Sequence, residues 1–217
     1  MLTPIKLPTS ISPTSIPTTS KVYTFKQKFL NMTTRTDLLN PIHTFLEALT
    51  NPSPNPNNLL SAFTTSPKPL IHEHGLPQLA PFLGRPFTGQ DGIATYFELI
   101  SSLLSIKNMV FEPEENWVVD TSCMAVSLRG SATFGWKETR QAWDETFIYR
   151  IKLAVDRPGS GSGSGEGKLA VCEYQVWADT GAAYLARLGK LGDLVGSKVG
   201  EGGGEGIHVD IDAEGTR

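Results

Sequence analysis

The spacing of hydrophobic residues predicts helices in the first half of the chain. Residues 40–50, NPIHTFLEALT, place apolar side chains at positions i, i+3, i+4 and i+7, which is the pattern of an amphipathic helix. Asn40 is expected to cap this helix and Pro41 to fit its first turn. On the same spacing, residues 59–63 predict a second, short helix and residues 89–104 a third, longer one.

In the second half of the chain the hydrophobic pattern changes to a period of two. Four runs rich in β-branched and aromatic residues predict four consecutive strands. They occupy residues 109–120, 123–136, 141–155 and 168–178. The Gly/Ser-rich stretch 157–167 is interpreted as a flexible hairpin loop, because each flanking strand needs its partner. A short helix at 179–189 follows, capped by Asp179 or Thr180 and ended by Gly189.

This order of helices and strands predicts an α+β domain. A curved antiparallel sheet would pack on three N-terminal helices and form a cone. The apolar interior of such a cone opens at one end, where a small ligand would enter. The chain of 217 residues suits one domain of this kind, expected over residues 37–190. The glycine-rich tail at 191–217 is expected to be disordered.

Residues 1–36 form a basic leader rich in serine, threonine and proline. It carries Lys6, Lys21, Lys26, Lys28 and Arg35 and no acidic residue. We interpret it as a disordered tail, or as sequence upstream of a translation start at Met32. A mitochondrial transit peptide has a similar composition, but the prolines of the leader would break the amphipathic helix of such a peptide.

Composition narrows the classes of partner and cofactor. A net charge of −3 argues against a general nucleic-acid binder, and the chain has no apolar run long enough to span a membrane. Phosphate-binding loops, dinucleotide fingerprints and nucleophile elbows are absent from the sequence, so no cofactor is expected. Cys123 and Cys172 make no disulfide framework and are expected as small buried residues of a cytoplasmic protein.

The order of elements and three of its segments resemble the nuclear transport factor 2-like superfamily. The segments are RPFTGQDGIATYF at the third helix and WDETFIYRI and EYQVWADTGAAYLA later in the chain. Within the superfamily the chain is similar to the SnoaL-like group, in particular its fungal members, over roughly residues 37–190. The superfamily includes ketosteroid isomerases, polyketide cyclases, scytalone dehydratases and epoxide hydrolases beside non-catalytic binding modules, so the fold alone does not fix the function.

The stretch PLIHEHG contains the first candidate site residues. On a strand, His72 and His74 lie on the same face and Glu73 points the opposite way. By position, the resemblance implies that His74 is the general base with His72 as its neighbour, where related proteins often have a carboxylate. The alternatives are two half-exposed histidines with structural hydrogen bonds, or a metal site, for which neither His43 nor His208 offers a plausible third ligand.

The strand 141–155 provides the expected pocket lining. Alternation puts Trp143, Glu145, Phe147, Tyr149, Ile151 and Leu153 on one face. Glu145 is the anomaly, because a buried carboxylate must be paired, hydrated or protonated. It is expected either to assist His74 in proton transfer or to form an ion pair with Arg129 or Arg150. Further ligand-binding residues are expected at Tyr96, Phe97 and Trp177, with Tyr96, Tyr149 or Tyr174 donating to a carbonyl oxygen of the ligand.

The expected function is therefore binding of a small apolar molecule, polyketide-like or ring-containing, in a hydrophobic pocket. Cofactor-independent isomerisation, dehydration or cyclisation would be the chemistry, without metal. The alternative is a non-catalytic module for small-molecule binding or dimerisation. The resemblance implies a homodimer formed through the outer face of the sheet, where we expect Tyr174 and Val176.

Overall fold

Helix α1, Arg35–Thr50, is the first element in the described part of the chain. The computed structural model describes residues 33–51, 56–157, 167–194 and 207–209. The helix starts before the predicted cap because Thr34 and Asp37 form a capping box. The Thr34 hydroxyl accepts from the Asp37 backbone N–H, and the Asp37 carboxylate accepts from the Thr34 backbone N–H. The predicted cap at Asn40 is therefore wrong, and Pro41 lies inside the helix.

The other helices lie close to their predicted positions. Helix α2 spans Pro56–Ser61, and α3 spans Gly89–Leu103 with Ile93 and Tyr96 buried. Helix α4, Thr180–Arg187, is capped by Asp179, whose side chain accepts from two backbone N–H groups of the first turn. These results confirm the third predicted helix and the capping role of Asp179.

Eight strands in the described residues form one mixed sheet. They are β1 Leu70–Glu73, β2 Pro86–Thr88, β3 Leu104–Phe111, β4 Val118–Asp120, β5 Ala125–Trp136, β6 Gln141–Val155, β7 Leu169–Trp177 and β8 Ile207–Val209. The order in the sheet is β2-β1-β7-β6-β5-β3, with β4 also paired to β5 and β8 to β6. β1 runs parallel to β7, and the other pairs are antiparallel.

The first predicted strand of the second half is two strands in the structure. β3 begins directly after α3 and shifts register between Lys107 and Val110, where Asn108 has a φ of 53°. A 3-10 turn at Glu114–Asn116 then separates β3 from β4. The pairing of β6 with β7 agrees with the predicted hairpin, and the loop residues 158–166 lie outside the described residues.

One face of the sheet packs on α1. The buried residues of α1 are Leu38, Leu39, Ile42, Phe45 and Leu46, and the Phe45 ring meets that of Tyr174 in β7 edge-on, with centroids 5.1 Å apart. Tyr174 and Val176 are 2% and 5% exposed. They therefore lie on the inner face of the sheet, and their predicted place on the outer face is wrong.

Two short elements lie within the tail 191–217. Leu191–Leu194 forms a 3-10 turn with Leu191 buried, and β8 pairs with the start of β6. The leader up to Met32 and the rest of the tail lie outside the described residues. Among the residues described, no helix combines the length and apolar character needed to cross a membrane.

Cys123 and Cys172 are half-buried free thiols. Cys123 lies in the turn before β5 rather than in a strand. The prediction that both cysteines are small buried residues is therefore wrong.

Candidate active site

A cavity of about 930 Å³ lies between α3, the inner face of the sheet and the C-terminal end of α1. The predicted residues that line it are Tyr96, Phe97, Trp143, Glu145, Phe147 and Tyr149. Exposed lining residues mark its rim: Thr50 and Asn51 at the end of α1, and Lys107 and Asn108 in β3. The walls are mainly aromatic and aliphatic, as expected of a site for a small organic molecule.

Glu73, between the two predicted histidines, is the residue of β1 that enters the cavity. Ile71 and Glu73 are 0% and 7% exposed, whereas His72 and His74 are half-buried. Since side chains alternate along a strand, the buried pair defines the inner face of β1. Because Leu70 on the other face is apolar as well, the sequence carries no signal that distinguishes the two faces of β1.

His72 and His74 lie on the outer face of the sheet. His74 Nε2 is 2.9 Å from the side-chain oxygen of Gln175 on the neighbouring strand. Its ring stacks on Trp177 with centroids 4.3 Å apart, and the His72 ring lies 4.4 Å from that of His74. Burial, together with the nearby His74, lowers the pKa of His72. The structure thus places all three outside the lining of the cavity, although we expected His74 as general base, His72 as its neighbour and Trp177 as a ligand-binding residue.

The Glu73 carboxyl group is paired with a tyrosine. The Tyr96 hydroxyl of α3 donates to Glu73 Oε2 at 2.7 Å. Burial raises the pKa of Glu73 to about 7, against the lowering effect of this hydrogen bond, and repulsion from Glu145 raises it further. A carboxyl group that titrates near neutral pH is suited to act as a general acid or base.

Glu145 enters the same cavity from β6 and is 6% exposed. Its Oε2 accepts a hydrogen bond from the Trp143 indole N–H at 2.6 Å. Its Oε1 accepts from the backbone N–H of Asp179, the N-cap of α4. Both oxygens of the carboxyl group therefore act as hydrogen-bond acceptors. Glu145 thus satisfies the expectation that a carboxylate among aromatic residues is paired.

The two arginines considered as partners of Glu145 form ion pairs with other residues. Arg129 lies 3.6 Å from a carboxylate oxygen of Glu112, and Arg150 lies 3.0 Å from one of Glu173. The ion pairs described for Arg129 and Arg150 are thus with these two carboxylates, and the one predicted with Glu145 is not among them.

Tyr149 and Tyr174 add two hydroxyl groups to the cavity. Their rings meet edge-on with centroids 4.9 Å apart, and the two hydroxyl groups interact with each other. Burial raises the pKa of both tyrosines and of Tyr96. All three therefore stay neutral hydrogen-bonding groups near neutral pH. Within the described part of the chain, no cluster of three or more His, Cys, Asp or Glu side chains could hold a metal ion.

Comparison with known protein structures identifies the fold of the chain. No protein-family model and no curated protein sequence matches the chain. An NTF2-like protein from Burkholderia xenovorans LB400 is similar in structure, with 17% identity, a TM-score of 0.51 and coverage of 70% of this chain and 97% of that one. PrhC from Penicillium brasilianum NBRC 6234 shows 17% identity, a TM-score of 0.50 and coverage of 73% and 94%. Together with the sheet and helices described above, these likenesses show that the chain has the NTF2-like fold.

Proposed function

We propose that the protein is a cofactor-independent enzyme that moves a proton on a small, uncharged, largely apolar ring molecule, with Glu73 as general base and acid. One observation carries this proposal. Glu73 lies inside an apolar cavity, is bound by the Tyr96 hydroxyl at 2.7 Å, and has a pKa raised to about 7. Buried carboxyl groups with such pKa values are typical of proton-transfer sites. The resemblance to the SnoaL-like group supports the same chemistry, namely isomerisation, dehydration or cyclisation.

The lining of the cavity supports this class of ligand. Phe97, Trp143 and Phe147 present aromatic surface to the interior, which favours contact with a ring or a fused ring system. Two carboxyl groups, those of Glu73 and Glu145, lie in the same cavity. A carboxylate or phosphate of a ligand would be repelled by them, because the low dielectric of the cavity screens like charges poorly.

The reaction we propose starts at a carbon next to a carbonyl group. Ionised Glu73 takes a proton from this carbon, and the electron pair of the broken C–H bond moves onto the carbonyl oxygen as an enolate. The hydroxyl of Tyr149, which lines the cavity, can donate a hydrogen bond to that oxygen. Protonated Glu73 then returns the proton to another atom of the same molecule, so that no cofactor is consumed.

Proton exchange with a simple ketone tests this proposal. In D2O, the wild-type protein is expected to speed deuterium uptake at the α-carbons of 2-tetralone, followed by NMR. Glu73→Gln should reduce this rate by at least about 100-fold, since general base catalysis contributes about 10²–10⁴-fold. His74→Ala is the matched control on the neighbouring position of the chain and should leave the rate unchanged. Equal rates for wild type and Glu73→Gln, or a loss in His74→Ala alone, would contradict the proposal.

A second candidate function, a dimerisation or binding module, is favoured by the outer face of the sheet. Trp177 and Ile148 are 39% and 49% exposed and lie opposite each other on neighbouring strands. Such exposed apolar side chains suit a contact with a second copy of the chain. Sedimentation of the wild type should then show a dimer that Trp177→Lys dissociates. A dimer that binds 2-tetralone without exchange would favour the module over the enzyme.

A further inference from the structure

We propose that Arg187 is a positioning residue, which holds the loop between β1 and β2 closed against the cavity and thereby keeps Glu73 in place. The loop comprises residues 74–85 and directly follows Glu73. The importance of Arg187 for proton transfer rests on the function proposed above. Its effect on the surroundings of Glu73 can be measured without any activity.

The 74–85 loop folds back onto Glu73. The Gly84 backbone N–H donates to the Glu73 backbone oxygen at 2.8 Å, and Leu83 lies beside Glu73 in an isolated parallel bridge. The φ of Gly84 is 66°, and a Cβ at this position would collide with the backbone oxygen of Gly75. Glycine therefore allows the two ends of the loop to approach each other closely. A displacement of the loop is thus passed to the backbone of Glu73.

The second half of the loop forms part of the cavity wall. Phe82 and Leu83 are buried and line the cavity that Glu73 enters. Thr180 and Ala183 of α4 line the same cavity. Because these apolar groups exclude water from the interior, they contribute to the burial of the Glu73 carboxyl group. This burial therefore depends on the loop staying against the cavity.

The first half of the loop lies at the surface, and Arg187 ties it to α4. Residues 75–78 are exposed. From the last turn of α4, Nη1 of the half-buried Arg187 donates to the backbone oxygens of Gln78 at 3.2 Å and Leu79 at 3.1 Å. One guanidinium nitrogen thus holds two successive peptide groups of the loop.

The end of α4 that carries Arg187 is itself fixed to the sheet. The Thr139 hydroxyl, in the turn between β5 and β6, donates to the Ala186 backbone oxygen at 2.6 Å. Ala183 and Ala186 are buried. Arg187 directly follows Ala186, so it extends from a part of the helix with a firm attachment. Its two hydrogen bonds therefore connect the loop to the body of the domain.

The other titratable groups that share the cavity with Glu73 lie on elements outside the loop. In the interior they are Tyr96 in α3, Glu145 and Tyr149 in β6 and Tyr174 in β7, and toward the solvent they are Glu98, Lys107, Lys137 and Asp179. A substitution of Arg187 leaves all of them in the chain. A change in the titration of Glu73 in such a variant therefore reports on the loop.

NMR titration of the protein with 13C-labelled glutamate side chains tests the inference. The Glu73 signal is assigned by its absence in Glu73→Gln and followed from pH 4 to pH 9. Arg187→Met removes both hydrogen bonds and keeps a long side chain. Water that reaches Glu73 should then lower its midpoint by about one pH unit, because burial is the main cause of its raised pKa.

Arg129→Met is the matched control. Arg129 lies on β5 and forms an ion pair with Glu112, outside the lining of the cavity, so its loss should leave the Glu73 midpoint unchanged. An unchanged midpoint in a folded Arg187→Met protein would overturn the inference, even if that protein is less stable. Arg187 would then support the fold without acting on Glu73.

Arg187→Lys keeps the test decisive if Arg187→Met does not fold. Lysine retains the positive charge and a donor but lacks the planar guanidinium group, so the Glu73 midpoint should lie between those of the wild type and Arg187→Met. The Gly84 amide, which binds Glu73, should exchange with solvent about tenfold faster than in the wild type, because the loop opens more often. Equal exchange rates of this amide would overturn the inference.

Activity provides a separate reading. The pH at which 2-tetralone exchange reaches half its maximum should move in Arg187→Met together with the Glu73 midpoint. A profile that stays at the wild-type pH would contradict the link between the loop and the base. Absence of exchange by the wild type would contradict the proposed function and leave the titration result standing.

Discussion

At the scale of single residues, the central feature is the pair formed by Glu73 and Tyr96. Its 2.7 Å hydrogen bond is the one contact of Glu73 that lowers the pKa of the carboxyl group, and burial outweighs it. Tyr96 also packs edge-on against Phe87 and Phe97, so its ring holds the hydroxyl in place. The pair therefore combines a group that titrates near neutral pH with a rigid support.

Tyr96→Phe removes the hydroxyl and keeps the ring. The pKa of Glu73 should rise further, because the lowering contact is lost while burial remains. The free energy of unfolding should fall by about 1–3 kcal/mol above pH 7, where Glu73 is ionised and left without this donor, and by less at pH 5. Urea unfolding at the two pH values measures this. The control is Tyr184→Phe, which removes the hydroxyl group of a half-buried tyrosine in α4. Equal losses of stability in Tyr96→Phe at both pH values would contradict the account.

The residues around Glu73 show what sequence reasoning could and could not give. Alternation along β1 correctly predicted that Glu73 points away from His72 and His74. Which face turns inward was not determined, because Leu70 and Ile71 are both apolar and give each face one hydrophobic residue. The structure decides it through Ile71, which is 0% exposed. The sequence-based prediction selected His72 and His74, on the outer face, because imidazole groups exchange protons near neutral pH.

At the scale of elements, the contact between β5 and β6 shapes the floor of the cavity. Gly130 lies opposite Phe147 in the antiparallel pair. A Cβ added at Gly130 would lie 2.5 Å from Cε2 of Phe147 and 2.8 Å from Cδ1 of Phe111. Glycine therefore allows the Phe147 ring to lie over β5 while it lines the cavity.

Gly130→Ala should disturb this contact. Overpacking of this kind costs about 1–3 kcal/mol, and the Phe147 ring would have to move toward the cavity. Urea unfolding should show this loss of stability. Binding of 2-tetralone should weaken as well, because the displaced Phe147 ring would occupy part of the cavity. Ser131→Ala, at the next position of β5, serves as the control with a change below about 0.5 kcal/mol. A Gly130→Ala protein as stable as that control would contradict the packing described here.

Elements differ in how well the sequence predicted them. β6 matches its prediction over residues 141–155 because its alternation is strict, with a buried residue at every second position from Trp143 to Leu153. The start of α1 was missed because the Thr34–Asp37 capping box lies before the hydrophobic pattern begins. The division of β3 from β4 follows from the turn at Glu114–Asn116, which the hydrophobic pattern alone does not show.

At the scale of the whole molecule, the site depends on contacts between distant parts of the chain. Glu73 comes from β1, Tyr96 from α3 and Glu145 from β6. β1 reaches its place by parallel pairing with β7, a long-range contact that no local pattern specifies. The order of helices and strands sufficed to predict the curved α+β fold. It did not predict that the carboxyl groups of Glu73 and Glu145 lie in one cavity.

The pH dependence of stability tests the buried carboxyl group most directly. In the folded protein the pKa of Glu73 is raised from 4.5 to about 7, so between these values the folded state holds a proton that the unfolded state has released. The contribution of Glu73 to stability is therefore greatest below about pH 4.5, falls as the pH rises, and levels off above about pH 7. At about 1.4 kcal/mol per pH unit, the fall amounts to roughly 3 kcal/mol.

The decisive measurement is the free energy of unfolding of wild type and Glu73→Gln from pH 4.5 to pH 8.5. Glutamine can still accept from Tyr96 but does not titrate, so differences between the two proteins isolate the carboxyl group. The account predicts that the wild type loses roughly 3 kcal/mol relative to Glu73→Gln over this range. A difference that stays constant with pH would show that Glu73 titrates as in the unfolded chain, and would contradict its place in the cavity and its proposed role.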